Sequence, residues 1–172
     1  MTTPNSQKLA SLAKDLTKDY PRSPRDLLAG YISGARTLDK CRAFLNNSIG
    51  EYHFDCPLDN MFFSSTGISS QQFKEIVSTG DEEEEIAAWV VKHAKPRERI
   101  EFIRWNNDLR YKRLSELPDG MQEYMEDYIP QIVPAHLRHH IDYFFDVYDA
   151  EKNAWKPDSA LKRYSVRAAL LF

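Results

Sequence analysis

Prolines stand where helices would begin, and their placement limits the folds open to this chain. Pro24, Pro57, Pro96, Pro118 and Pro134 each precede apolar side chains that recur every three or four residues. Proline suits the first turn of a helix, because the amide hydrogen that it lacks has no partner within that turn. Glycine, which weakens helices, occurs 6 times in 172 residues. The sequence therefore predicts a helical protein whose prolines mark helix starts.

The spacing of apolar residues predicts the individual helices. Ser23, Ser69 and Asp81 are typical N-cap residues, each placed directly before such a segment. The expected helices cover about residues 24–47, 57–65, 70–79, 96–113, 118–129 and 134–151, with another beginning at Glu82 and a short one in the tail from Asp158. No stretch alternates as a strand would. We therefore expect an all-α fold, a single-domain helical bundle of six to seven helices with short loops, spanning residues 1–172.

Composition and charge indicate the cellular compartment of the chain and the classes of partner that it can bind. Two cysteines are too few for a disulfide scaffold, the first residues lack the apolar stretch of a signal peptide, and no segment is apolar enough to span a membrane. Basic residues are in excess in 1–50, 91–113 and 152–172, and acidic ones in 51–90 and 114–151. Such alternation favours pairing between segments over a continuous basic groove. We expect a cytoplasmic protein that binds neither nucleic acid nor membranes.

An ordered series of short motifs in the first half resembles a known family. The motifs are Asp15-Leu16-Thr17-Lys18, Pro21-Arg22-Ser23-Pro24-Arg25, Gly30-Tyr31, Asp39-Lys40, Arg42-Ala43, Gly50-Glu51-Tyr52-His53, Cys56-Pro57-Leu58-Asp59 and Thr66-Gly67-Ile68. In this order, over residues 15–90, they are similar to the opening of a bacterial domain of unknown function, DUF5069. The resemblance implies no activity. It does draw attention to the loop from Gly50 to Asp59, because loops carry function more often than the elements they join.

The loop of residues 50–59 contains most of the side-chain types that catalyse reactions in proteins. Glu51, His53 and Asp55 can exchange protons with a bound ligand, so they are our candidate catalytic residues. Tyr52 and Asp59 are candidate ligand-binding residues from the same loop.

Cys56 is a different kind of candidate, because it directly precedes Pro57 at a predicted helix N-terminus. The positive end of a helix favours a thiolate, and His53 is near enough in sequence to act as its base. Asp55 and Asp59 oppose this effect, since each adds negative charge beside the sulfur. A helix end contributes only ~0.3–1 kcal/mol at an exposed site. We therefore expect the acids to prevail and Cys56 to be an unreactive structural thiol.

Arg42 is the third candidate ligand-binding residue, since it falls in the middle of the inward stripe of the predicted 24–47 helix. A buried guanidinium needs a partner. We expect a carboxylate, that of Glu51 or Asp59, and most simply Glu51. The alternative is that Arg42 reaches a pocket and binds a small anionic ligand through two parallel hydrogen bonds. Arg22 and Arg25, at the start of the same helix, are a second place for an anion.

Metal and cofactor binding have little support in the sequence. His136 and His140 are four residues apart in the predicted 134–151 helix, a spacing that allows two imidazoles to share an ion with carboxylates of the 50–59 loop. Chance often produces such pairs, and the glutamate of the zinc-protease motif is missing. The chain also lacks a phosphate-binding loop, a Gly-x-Ser-x-Gly elbow and a Cys-x-x-Cys pair. We predict no metal and no cofactor, with the histidine pair as the alternative.

Two functions remain open at this point. The first is a small-molecule-binding helical domain or small enzyme, with its site where the 50–59 loop packs on the 24–47 helix. The second is a non-catalytic interaction or scaffold protein, for example a homodimer. A concave site near Arg42, Glu51 and His53 favours the first, and a flat apolar surface patch favours the second.

Overall fold

Eight α-helices account for most of the described chain, residues 4–154, in a computed structural model. They are α1 (Pro4–Leu12), α2 (Gly34–Leu45), α3 (Pro57–Thr66), α4 (Ser70–Val77), α5 (Glu83–His93), α6 (Arg99–Arg110), α7 (Asp119–Ile132) and α8 (Phe144–Ala154). Two short 3-10 helices cover Leu114–Glu116 and Ala135–His140. The all-α prediction is confirmed. The short helix predicted from Asp158 lies outside the described residues.

Contacts divide the chain after Glu98 into two compact units, which we call the N-terminal unit and the C-terminal unit. The prediction of a single domain over residues 1–172 stays a prediction.

Three helices begin within one residue of the start that their local sequence predicts. Pro57 is in the first turn of α3, directly after the N-cap residue Cys56. Ser69 caps α4 through a reciprocal pair of bonds, in which the Ser69 hydroxyl accepts from the Gln72 amide at 3.1 Å and the Gln72 side chain accepts from the Ser69 amide at 3.0 Å. The cap of α5 is Glu82, one residue later than the predicted Asp81.

The helix predicted over residues 24–47 is wrong in its first part, because α2 begins only at Gly34. Ser23 does cap a turn, since its hydroxyl accepts from the Arg25 amide at 3.1 Å. That turn does not continue into a helix. The chain instead folds back, and the Ser33 amide donates to the carbonyl of Pro24 at 2.7 Å. The reversal needs left-handed backbone angles, which a right-handed helix cannot contain, at Ala29, Gly30 and Ser33.

The single helix predicted over residues 134–151 is also wrong. The segment is the 3-10 helix Ala135–His140 followed by α8. The Asp146 carboxylate accepts from the amides of Tyr143 at 2.9 Å and Asp142 at 3.3 Å, and this cap starts a new helix in the middle of the expected one.

At the centre of the N-terminal unit is α2, with α1, α3 and α4 packed against it. The aromatic rings of Phe62, Phe63 and Phe73 meet with centroids 5.5–5.7 Å apart and form the adjoining core. All residues of α2 from Gly34 to Ala43 are buried. Because this helix has no solvated face along that length, each of its charged side chains needs a partner inside the protein.

In the C-terminal unit, α7 packs on α8 and on both 3-10 helices. The buried apolar side chains include those of Leu117, Met121, Met125, Val133, Phe144, Phe145 and Val147. The periodic apolar face of α7 and the start of α8 therefore supply this core.

Candidate functional site

A buried ammonium group lies at the centre of the predicted site. Lys40, on α2, is 2% exposed. Its Nζ lies 2.8 Å from Asp59 Oδ1, and it donates to the main-chain oxygen of His53 and to Cys56 Sγ, each at 3.1 Å. An ammonium has three N–H donors, so these three acceptors match its full capacity. All three come from the 50–59 loop and its end, so Lys40 fastens that loop to α2.

The Asp59 carboxylate is the counter-charge of Lys40 and is 0% exposed. Its Oδ1 also accepts from the hydroxyl of Thr37 at 2.9 Å, and its Oδ2 accepts from the amide of Asp55 at 3.0 Å. Both oxygens therefore have donors, and the negative charge is balanced within the protein. Asp59 therefore holds the loop against α2. Its predicted role as a ligand-binding residue stays a prediction.

Cys56 is partly exposed at the N-terminus of α3, and the charge that touches its sulfur is positive. The sequence predicts that the carboxylates of Asp55 and Asp59 oppose a thiolate here. However, Asp59 is paired with Lys40, and the exposed Asp55 carboxylate accepts from the hydroxyl of Ser70 at 2.8 Å. The Cys56 sulfur thus lies 3.1 Å from an ammonium group, at the N-terminus of α3. The expectation that Cys56 is an unreactive structural thiol stays a prediction.

The other cysteine, Cys41, lies in the same helix as Lys40 and differs from Cys56 in its burial. It is 0% exposed. Burial raises the pKa of the Cys41 thiol above its ordinary range, and the negative charge of Asp59 raises it further. Of the two free thiols, Cys41 is thus held in its neutral form, whereas Cys56 has access to solvent.

The remaining loop candidates lie around the Lys40 contacts. Glu51, Tyr52 and His53 are partly buried, and the Tyr52 ring faces the Arg36 guanidinium at 5.7 Å. The His53 Nδ1 lies 3.1 Å from the Glu51 carbonyl oxygen. A carbonyl can only accept, so in this contact the ring proton is on Nδ1, and Nε2 is the nitrogen suited to act as a base. The catalytic roles of Glu51, His53 and Asp55 stay predictions.

Arg42 is buried as predicted, at 6% exposure, but its partner is not Glu51. Its Nη2 donates to the main-chain oxygen of Asp81 at 2.9 Å. Burial lowers the pKa of Arg42, although nearby Glu83 and Asp39 act in the other direction. Two residues along a helix turn the side chain by about 200°, so Arg42 lies on the side of α2 away from Lys40. Its predicted role in ligand binding stays a prediction.

Arg22, proposed with Arg25 as an anion site, is engaged within the protein. Its Nη2 lies 2.9 Å from Asp39 Oδ1, and its Nη1 donates to Glu83 Oε1 at 2.8 Å. Burial disfavours the charged guanidinium, but the bonds to Glu83 and Asp39 prevail and raise the pKa of Arg22 above its ordinary value. The contact with Glu83 also joins the basic 1–50 stretch to the acidic 51–90 stretch, as expected from the alternation of charge.

The histidine pair considered for a metal does not have the geometry assumed for it. His136 and His140 lie in a 3-10 helix, where three residues make a turn, so residues four apart do not share a face. Within residues 4–154, no group of three or more His, Cys, Asp or Glu side chains is arranged to hold a metal ion. In the same part of the chain, every helix is too short or too polar to cross a membrane.

Sequence reasoning missed Lys40 and Thr37, the two side chains of α2 that bind the Asp59 carboxylate. They are three residues apart and therefore share one face of α2. Apolar periodicity identifies only the apolar stripe of this helix and assigns no role to its polar positions. The missed signal was the matching charge of Asp59 just beyond the loop, which makes a buried pair with Lys40 an alternative to solvation.

Comparison with known families extends the resemblance seen in the first half. A family model described as a domain of unknown function, DUF5069, matches residues 18–154. This range includes α2, the 50–59 loop and the C-terminal unit as far as α8. A comparison with curated proteins gives no match. Because the family model covers most of the sequence and includes the Lys40 site, the chain belongs to the DUF5069 family.

Proposed function

We propose that the chain is a small enzyme that binds a small molecule where the 50–59 loop packs on α2, with Cys56 as its nucleophile. The observation that carries this proposal is the Lys40 ammonium 3.1 Å from Cys56 Sγ. A thiolate is the reactive form of cysteine, and a cation in contact with the sulfur stabilises it. The N-terminus of α3 adds to this effect.

The other side chains have distinct roles in this proposal. Lys40 is too deeply buried to face a ligand, so it acts as a positioning residue that works through the sulfur. His53 Nε2 first takes the proton of the Cys56 thiol, the resulting thiolate adds to an electrophilic carbonyl carbon, and the leaving group departs with that same proton. The same histidine then takes a proton from the water that releases the product. Glu51 and Asp55, on either side of His53 in the loop, orient the ligand.

An aromatic pair beside the loop supplies apolar surface for the ligand. The rings of Phe44 on α2 and Phe54 in the loop lie 5.9 Å apart, and Phe44 is 46% exposed. Small-molecule sites combine such apolar walls with a few polar groups. We further propose that the enzyme works in the reducing cytoplasm, where two free thiols persist.

Two probes test the proposal in a Cys41→Ala background. Iodoacetamide should alkylate Cys56 at pH 7 about tenfold faster than it alkylates free cysteine, and Lys40→Met should remove most of that advantage. 4-Nitrophenyl acetate should acylate Cys56 and be turned over, and His53→Gln should slow turnover more than the first acylation. Alkylation of Cys56 no faster than that of free cysteine would overturn the nucleophile role.

Two controls keep the result interpretable. Lys14→Met removes a partly exposed lysine of the same unit, which lies 3.4 Å from Asp39, and should leave both probe reactions unchanged. Circular dichroism shows whether Lys40→Met remains folded at the assay temperature. A non-catalytic interaction protein or homodimer stays the alternative prediction, and sedimentation of the wild-type chain tests it.

A further inference from the structure

We infer that peroxide oxidation of Cys56 ends in a covalent bond between Cys56 Sγ and Lys40 Nζ. Three observations carry this inference. The two atoms are already in contact at 3.1 Å, the sulfur is on a partly exposed residue, and the nitrogen is on a residue that is 2% exposed. An oxidant can therefore reach the thiol, while the neighbouring amine is held against it and shielded from water.

The reaction balances with hydrogen peroxide as the only added reagent. Peroxide first converts the Cys56 thiol to a sulfenic acid and is reduced to water. Lys40 passes one proton to Asp59, whose Oδ1 is 2.8 Å away, and becomes a neutral amine. Its lone pair attacks the electrophilic sulfur, the S–O bond breaks, and hydroxide leaves with a second amine proton as water. The product is an S–N bond, a sulfenamide, and the sulfur has lost two electrons to the peroxide.

The buried carboxylate is what makes this outcome favourable at Cys56. Before the reaction, Lys40 and Asp59 form a buried ion pair; afterwards the nitrogen is neutral and Asp59 holds the transferred proton. Both charges disappear together, so neither is stranded in the protein interior. The Asp59 carboxyl group still accepts from the Asp55 amide, which keeps the loop attached to α2. A cysteine beside a solvated lysine lacks this internal proton acceptor and has water competing for the sulfenic acid.

The crosslink uses the sulfur of the proposed nucleophile but needs no substrate. It would protect Cys56 from further oxidation and stop its reactions until a thiol such as dithiothreitol cleaves the S–N bond. The crosslink is detected by mass alone, independently of the probe reactions of Cys56. A failure to form the crosslink can therefore be distinguished from a failure of the proposed nucleophile role.

The experiment treats the full-length Cys41→Ala chain with hydrogen peroxide and analyses the intact protein and its non-reduced peptides by mass spectrometry. We expect a loss of about 2 Da, a linked peptide containing Lys40 and Cys56, and recovery of the original mass after dithiothreitol. Cys56→Ser should give no linked peptide. Lys40→Arg keeps a cation beside the sulfur but should accumulate the oxygen adducts of Cys56 instead, with folding checked by circular dichroism.

Two results would overturn the inference. One is a gain of about 16 or 32 Da on Cys56 with the Lys40 peptide unlinked, which would mean that the sulfenic acid persists or is oxidised further. The other is a linked peptide that has kept an oxygen atom, which would exclude the direct attack of nitrogen on sulfur.

Discussion

Replacing Lys40 by methionine removes the ammonium group but keeps an unbranched side chain of similar length in the same space. The Asp59 carboxylate would then keep two of its three donors, the Thr37 hydroxyl and the Asp55 amide. Removing one member of a buried ion pair costs about 3–5 kcal/mol, because the other charge is left uncompensated. The variant can limit this loss, because the Asp59 carboxylate can take up a proton. Protonation of an ordinary aspartate at pH 7 costs about 4 kcal/mol. We therefore expect a loss of about 3–4 kcal/mol at pH 7.

Urea unfolding followed by tryptophan fluorescence measures this loss. Of the 3 tryptophans, Trp89 lies in α5 of the N-terminal unit, so a Trp105→Phe, Trp155→Phe background makes the signal report on that unit. Because protonation limits the loss, it should shrink as the pH is lowered towards ~5. The double variant Lys40→Met, Asp59→Leu removes both charges and should recover much of the stability.

The matched control is Lys14→Met in the same background. Lys14 also pairs with a buried aspartate, Asp39, but its side chain is 38% exposed. We expect it to lose less than about 1 kcal/mol, as exposed ion pairs do. If Lys40→Met loses no more than Lys14→Met, the buried pair does not hold the loop in place and the reasoning about this site is refuted.

Three further outcomes are expected. Gly50→Ala should lower the free energy of unfolding in urea by about 1–3 kcal/mol, because Gly50 has φ +63° and a Cβ there would lie 2.8 Å from the Leu16 carbonyl oxygen. The control Gly120→Ala should not lower it, because no atom lies within 4 Å of the added Cβ. Cys41 should resist iodoacetamide until the chain unfolds, since burial raises the pKa of its thiol, and modification of the native protein would contradict this. Burial and the neighbouring Glu151 raise the pKa of Tyr124 from 10.0 to about 12, so the difference in phenolate absorbance between wild type and Tyr124→Phe should develop near pH 12, not near pH 10.

The parts of the fold that were predictable depend on contacts between residues a few positions apart. The cap at Ser69 is of this kind, because its partner Gln72 lies within one helical turn, and Pro57 suits the first turn of α3 without any partner. Ser23–Pro24 carries the same local signal, yet only a turn forms there. What ends that turn is left-handed backbone at Ala29 and Ser33, two residue types that give no warning of it.

The sequence predicts that the 50–59 loop packs on the 24–47 helix, but it does not predict the contacts that join the loop to α2. A helical wheel ranks side chains by one buried face, and this ranking selected Arg42. Since α2 is covered along its length by several elements, the wheel does not distinguish Lys40 from Arg42. Only the position of α3 relative to α2 brings Asp59 to Lys40 and makes the charge beside Cys56 positive.

The buried charges of α2 have a consequence for how this protein can change by mutation. Arg36 binds the main chain at Arg22, Asp39 binds the Arg22 side chain, Lys40 binds Asp59, and Arg42 binds the main chain at Asp81. Where both partners are side chains, the second substitution costs less once the first has been made, so the two effects are not additive. In a scan of single substitutions, each member of these pairs would therefore appear to tolerate no change. The pairs are Lys40 with Asp59 and Arg22 with Asp39. Divergent sequences of this fold should instead exchange each pair as a unit, through intermediates in which one position constrains the other.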